Sequence, residues 1–175
     1  MTENEIELNP VDHITTDAIG PPGQRVFYLQ ARQGKRIITI LVEKFQVQSL
    51  ALGAEKFLSD LLQSFSQLTR ATFDYSDDEM QIKPPVDPIF RAGELGLSYD
   101  TERDLVILVI REIIAEDQAE QDGMVVRLWC TRAQLRAMCS WGLEVANRGR
   151  PICPYCGEPE EPDGHFCPKK NGRNR

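Results

Sequence analysis

The residues with the clearest chemistry stand close together near the end of the chain, in Cys153-Pro154-Tyr155-Cys156-Gly157 and His165-Phe166-Cys167-Pro168. Three thiols and one imidazole are donor types that zinc selects, and a C-x-x-C turn lets two thiolates converge on one ion. Gly157 can take the left-handed backbone that turns the chain past the second Cys, while Pro154 fixes one dihedral within the turn. His165 and Cys167 are two apart, so an extended segment sends both side chains off the same face. The expectation is a Cys3His zinc site made by Cys153, Cys156, His165 and Cys167. Four protein ligands leave no position for water or substrate, which makes the ion structural. The pair H-x-C departs from the common second halves of zinc motifs, C-x-x-C or a longer-spaced His pair. A redox dithiol and an incidental Cys cluster are the competing readings. Redox motifs of this spacing open a helix after a strand, whereas Pro151, Pro154 and Gly157 surround this one.

Nothing else forms a catalytic constellation. The chain has two His. One belongs to the proposed zinc set, and His13 sits in Pro10-Val11-Asp12-His13-Ile14-Thr15, the start of an exposed strand. Cys130 ends a strand and Cys139 lies on the apolar face of a helix, where a free thiol behaves as a small hydrophobe. Gly20-Pro21-Pro22-Gly23 lacks the Lys-Ser/Thr and the following helix of a phosphate-binding loop and reads as a turn. The carboxylates of Asp74 to Glu79 and of Glu116 to Asp122 come as runs in polar loops, which are ordinarily solvated.

The elements that must carry these residues can be read from pattern. With 175 residues and 41% hydrophobic side chains the chain can build a real core. Val26 to Ala31 and Ile37 to Val42 flank Gln33-Gly34-Lys35 and read as a hairpin. Val47, Leu50, Ala54, Leu58, Leu61, Phe65 and Leu68 then recur every three or four residues, predicting a helix over 44–69. Asp74, Asp77, Asp78 and Glu79, followed by Pro84, Pro85 and Pro88, predict a long loop over 71–89. Leu95 to Tyr99, the apolar run Leu105 to Ile114 and Met124 to Cys130 read as further strands, the second central and covered on both faces. Thr131 with Gln134 forms a capping box that opens a helix ended by Gly149. The predicted fold is α+β, a mainly antiparallel sheet with two long helices. Strand, strand, helix occurs twice, and at an offset of about 88 residues Gln46, Val47, Leu50 and Ala54 fall on Gln134, Leu135, Met138 and Gly142. A twofold repeat, 1–70 and 90–149 joined by the loop 71–89, is therefore expected, against chance likeness of two amphipathic helices. The body spans 1–149 and the zinc-ordered tail 150–175.

Charge narrows the partners. The net charge is −7, which argues against a surface built throughout for nucleic acid or anionic lipid. Residues 1–126 carry 11 basic and 22 acidic side chains and residues 127–175 carry 9 and 5, so an acidic body bears a mildly basic end. Lys169, Lys170, Arg173 and Arg175, joined by Arg148 and Arg150, can touch phosphate or simply keep the tail solvated. No apolar run approaches the roughly 20 residues of a membrane span. The start of the sequence, Met1 to Glu7, is acidic where a secretory signal is basic and then apolar, so the expected location is the cytoplasm.

Several stretches taken together carry a likeness: Asn9-Pro10-Val11-Asp12, Gly23 to Arg32, Val42-Glu43-Lys44, Phe90-Arg91-Ala92-Gly93, and the tail from Gly149-Arg150-Pro151 through Cys167-Pro168 to Asn171-Gly172. They resemble an uncharacterised bacterial family catalogued as domain of unknown function 3090. The resemblance covers nearly the whole chain. It implies small cytoplasmic proteins, some with an internal repeat, encoded near a histidine-phosphatase-like protein, and no activity, substrate or catalytic residue. The favoured function is a non-enzymatic interaction or adaptor protein whose zinc-ordered tail meets a protein partner. The alternatives are an enzyme or small-ligand binder with a pocket between the repeats, lined by Arg25, Arg32, Arg91 or Arg111, and weak RNA or DNA binding through the tail.

Overall fold

The computed structural model describes residues 4–119, 122–160 and 164–171. In chain order the elements are β1 (Glu5–Leu8), β2 (His13–Ile19), β3 (Val26–Gln33), β4 (Arg36–Val42), α1 (Lys44–Ser64), α2 (Asp77–Met80), β5 (Pro88–Asp100), β6 (Leu105–Glu112), β7 (Val125–Cys130), α3 (Arg132–Asn147) and α4 (Pro168–Asn171). The strands form one sheet in the order β1-β7-β6-β5-β4-β3-β2. Its neighbours are antiparallel except β1 beside β7 and β4 beside β5. The fold is thus α+β with a mostly antiparallel sheet.

Local chemistry sets the turns. Gly34, at φ 57°, turns the β3–β4 hairpin. Between β5 and β6 the Asp100 carboxylate accepts from the amides of Glu102 and Arg103 at 2.9 and 3.0 Å. The predicted capping box of α3 is formed: Thr131 Oγ1 accepts from Gln134 N at 3.0 Å and Gln134 Oε1 accepts from Thr131 N at 2.9 Å. At the start of α1, Gln46 likewise accepts from the Glu43 amide at 2.8 Å.

Both long helices lie on one face of the sheet. Leu29, Ile40, Val106, Leu108, Ile110, Val126 and Leu128 are almost wholly buried there with Leu135, Met138 and Trp141 of α3 and the Val47 to Leu61 stripe of α1. The sheet curls strongly. Val11 N donates to Trp129 O of β7 at 2.8 Å, and the next amide, Asp12 N, donates to Arg32 O of β3 at 2.7 Å. Two consecutive residues therefore reach strands that stand far apart in the sheet order.

Three sequence expectations are corrected in detail. Helix α1 ends at Ser64 rather than near Thr69; Phe65 leaves the helical path and packs at 5.8 Å against Tyr99 of β5. The loop expected over 71–89 contains the short helix α2 and already enters β5 at Pro88. It is a strap. Arg136 Nη1 donates to Ala71 O at 2.7 Å, Tyr75 meets Trp141 edge-on at 6.1 Å, and beyond α2 the Lys83 amide and carbonyl both bond the Gln30 side chain at 3.0 and 2.9 Å. Because Gln30 alternates with the inward Leu29 and Ala31, the strap passes over α3 and around the β2 edge to the opposite face of the sheet. Lastly, the apolar run in β6 is covered by helices on one face only. On the other, Ile107 and Val109 are half-buried beside their cross-strand partners Trp129 and Arg127.

Candidate metal centre

The chain past α3 makes a small knuckle. Cys153 N donates to Glu158 O at 2.8 Å, Gly157 N to Cys153 O at 2.9 Å, and Glu160 N to Pro151 O at 2.7 Å, while Ile152 and Pro159 bridge in antiparallel fashion. Gly157 has φ 77°, the left-handed conformation its position in the sequence called for. Cys167 immediately precedes the short α4, and Lys170 N reaches back to its carbonyl at 3.2 Å. The connector residues 161–163, Pro162 among them, lie outside the described residues, as do Arg173 and Arg175.

These turns bring the four predicted ligands together. One donor atom from each of Cys153, Cys156, His165 and Cys167 lies within 4.8 Å of all the others. Sγ of Cys153 and Cys167 are 3.8 Å apart, and Cys156 Sγ is 3.3 Å from His165 Nε2. Two sulfurs held at about 2.3 Å on a tetrahedral ion stand about 3.8 Å apart, so the thiol pair already has the edge such a site needs. The Cys156–His165 edge is somewhat shorter than that geometry asks. Cys153 and Cys167 are buried and Cys156 and His165 half-buried. The amide of Cys156, and then that of Tyr155, point at the Cys153 sulfur and hold its pKa below the ordinary thiol value against the opposing effect of burial. The donor set and its spacing fit a metal ion, and Cys153, Cys156, His165 and Cys167 could hold one.

A family model described as protein of unknown function (DUF3090) matches residues 6–167. The chain belongs to the DUF3090 family. No curated protein and no solved structure matches it. The matched span ends on Cys167, so in DUF3090 terms all four ligand candidates fall inside the family's own region.

Elsewhere in this DUF3090 chain the other sequence candidates separate. Cys130 and Cys139 are buried, and burial pushes each thiol up to about 12, which leaves them protonated and inert. His13 lies against the strap, its pKa lowered by burial and by Arg32. Arg148 is committed to the body, bonding Glu144 at 2.6 Å and Asp77 at 3.4 Å with its guanidinium 4.8 Å over the Trp141 ring. Lys169 and Lys170 are exposed on α4, Lys170 5.8 Å from the Tyr155 ring. Arg111 pairs with Glu94 at 3.8 Å, and Arg32 lines a separate hollow with His13. Arg25 and Arg91 do share a cleft, in the company of Lys44 and Arg150. Sequence reasoning named Arg25 and Arg91 as pocket residues but missed Lys44 and Arg150, which come from the start of α1 and from just beyond α3. No helix among the described residues is long and apolar enough to cross a membrane.

Proposed function

We propose that this protein is a non-enzymatic adaptor whose C-terminal Cys3His cluster binds zinc structurally and holds an interaction surface in shape. Thiolate and imidazole donors favour zinc, and four protein ligands close its coordination shell. The observation that carries the docking role is the exposure of Ile152, Tyr155 and Phe166, at 59%, 57% and 75%, around that cluster. A segment this short gains nothing from displaying three large apolar side chains to water, whereas a partner surface does. With Lys169 and Lys170 beside them, the complementary surface is an apolar patch with an acidic rim on another protein. The recurrence of three strands and a helix, with capping glutamines at Gln46 and Gln134, supports reading the body as a duplicated unit.

The test has two arms. Elemental analysis of the purified chain should find one zinc per molecule, lost in Cys156→Ser. Proteins captured by the native chain and identified by cross-linking should contact residues 152–170, and Phe166→Ser should release them with the zinc retained. Absence of metal overturns the first arm. Capture that survives Phe166→Ser, or that nuclease treatment abolishes, overturns the second, the last result pointing to nucleic acid instead.

A further inference from the structure

Each long helix grips two successive carbonyls of the strand segment beneath it through one glutamine. Gln46 Nε2 donates to Ala92 O and Gly93 O at 3.1 and 3.3 Å, and Gln134 Nε2 donates to Val11 O and Asp12 O at 3.5 and 3.3 Å. The two glutamines are 88 residues apart. Beside each lies a hollow between helix and strand, one where α3 meets β2 and one where α1 meets β5.

The two hollows differ in what covers them. Over α3, Trp141 is 1% exposed, with Tyr75 of the strap meeting its ring edge-on, and the buried Met80 of the strap lines the hollow as well. Asp77 of the strap bonds Arg148, which also holds Glu144 one turn back. Over α1 no described segment takes the strap's place. Gly53 stands 88 residues before Trp141, and a β-carbon on it would find nothing within 4 Å among the described residues. Around it runs a groove of about 420 Å³, floored by Leu50, Leu95 and Leu97 and flanked by Phe57 and by Phe45, which is 64% exposed. Strand β4 pairs with β5 only as far as Arg91, so the rest of that β5 edge has no strand beside it among the described residues. The charges are exchanged too. At the positions matching Glu144 and Arg148 stand Lys56 and Asp60, paired at 2.8 Å. An acidic segment like the strap itself would meet Asp60 with like charge.

We infer that this groove docks a segment of a partner protein that carries an aromatic ring and, two residues later, Arg or Lys, the ring lying over Gly53 and the cation on Asp60. The spacing is that of Tyr75 and Asp77 in the strap, with the charge reversed to complement Asp60. A ring is selected over an aliphatic chain because Gly53 leaves open the place that an indole fills on α3, beside two phenylalanines able to pack against it. Open apolar surface next to an unpaired strand edge is the kind of site that a docking segment covers. The groove is separate from the surface proposed on the knuckle, and a second docking face is what an adaptor requires. The shape of its guest rests on reading the body as a duplicated unit.

The probe is the capped tripeptide acetyl-Trp-Ser-Arg-amide, titrated into the full chain and followed by heteronuclear NMR. Saturable shifts at Gly53, Gly93 and Leu95 are expected, with a dissociation constant below about 1 mM. Acetyl-Leu-Ser-Arg-amide and acetyl-Trp-Ser-Glu-amide should each bind about threefold or more weakly, the first for want of a ring and the second for its like charge at Asp60. Gly53→Trp puts on α1 the ring that α3 carries, so it should fill the groove and abolish the shifts. Asp60→Asn should remove the preference for Arg over Glu. Leu52→Ser, at an exposed position outside the groove, should bind as the native chain does. Circular dichroism checks that each variant is folded. No saturable binding, full affinity in folded Gly53→Trp, equal affinity for the leucine peptide, or shifts confined to residues 152–170 would overturn the assignment, the last placing the peptide on the knuckle. A dimer in sedimentation velocity that Gly53→Trp dissociates would overturn it too, because a second copy would then fill the groove.

Discussion

Gly142 is the point at which α3 comes closest to its neighbours. A β-carbon there would sit 2.5 Å from Thr16 Oγ1 and 2.9 Å from Val47 Cγ1, so β2 and α1 are both drawn against the helix at a residue that has no side chain. Gly142→Ala should therefore lower stability in urea by about 1–3 kcal/mol, despite alanine's better helix propensity, because the core must shift to admit one carbon. A neutral or stabilising result would mean the helix can slide. Asp104 makes a different kind of contact, accepting from Arg132 Nε at 2.8 Å and from Tyr99 OH at 2.7 Å. The Arg132 bonds, against the opposing effect of burial and helped by Tyr99, hold its carboxyl below the usual range. A depressed folded pKa means that the contribution is complete above the unfolded value of about 3.9 and is lost as pH falls through the lower folded one. The Asp104 side chain is 49% exposed, so solvent screening keeps the effect under about 1 kcal/mol. The stability gap between the native chain and Asp104→Asn should be widest near about pH 6 and close by about pH 2, as urea midpoints at the two pH values would register.

Among the elements, the strap after α1 differs most from its sequence reading, and the reason is specific. Clustered acids and prolines in 71–89 forbid long helix or central strand, which is what pattern can report. They do not report that Thr15 Oγ1 would donate to Met80 O at 2.5 Å, or that Ile82 N would find Asp17 Oδ2 at 2.9 Å. Gln30, 2% exposed, is the strap's main anchor. Gln30→Leu keeps the volume but strands the Lys83 amide and carbonyl, so a loss of about 1–3 kcal/mol is expected. Hydrogen exchange should quicken over 76–83 and stay unchanged in the middle of α3; uniform quickening would show that the strap is not a separate unit. The hairpin of β3 and β4, the second half of β5, β6, and the capping box of Thr131 and Gln134 were legible because each depends on neighbours in sequence. The early end of α1 was not, since Phe65 and Leu68 keep the helical spacing and are diverted only by Tyr99, far along the chain.

For the molecule as a whole, the same distinction separates the knuckle from the basic cleft. Cys153, Cys156, His165 and Cys167 are near in sequence, and their types name the chemistry. Arg25, Lys44, Arg91 and Arg150 are ordinary surface residues until four elements, β3, α1, β5 and α3, bring them together. The two sites also rest on different supports. The knuckle's described residues bury Cys153 and Cys167 but hardly any other apolar side chain, so on the function proposed above the zinc supplies most of its order, on the order of 10 kcal/mol in small zinc modules. Chelation should abolish exchange protection in 152–170 and leave the cooperative melt of residues 4–147 nearly unmoved. Protection that persists in metal-free protein would contradict this. The curled sheet carries one more consequence. Among the described residues strand β1 pairs only with β7, with Glu5 opposite Val125. During synthesis β1 must therefore wait, unpaired, until β7, about 120 residues further along, has been made, and closing so long a loop belongs to the last and slowest stage of folding. A nascent chain stalled before β7 exposes a strand with nothing to pair with, which is the form of this protein most in need of a chaperone.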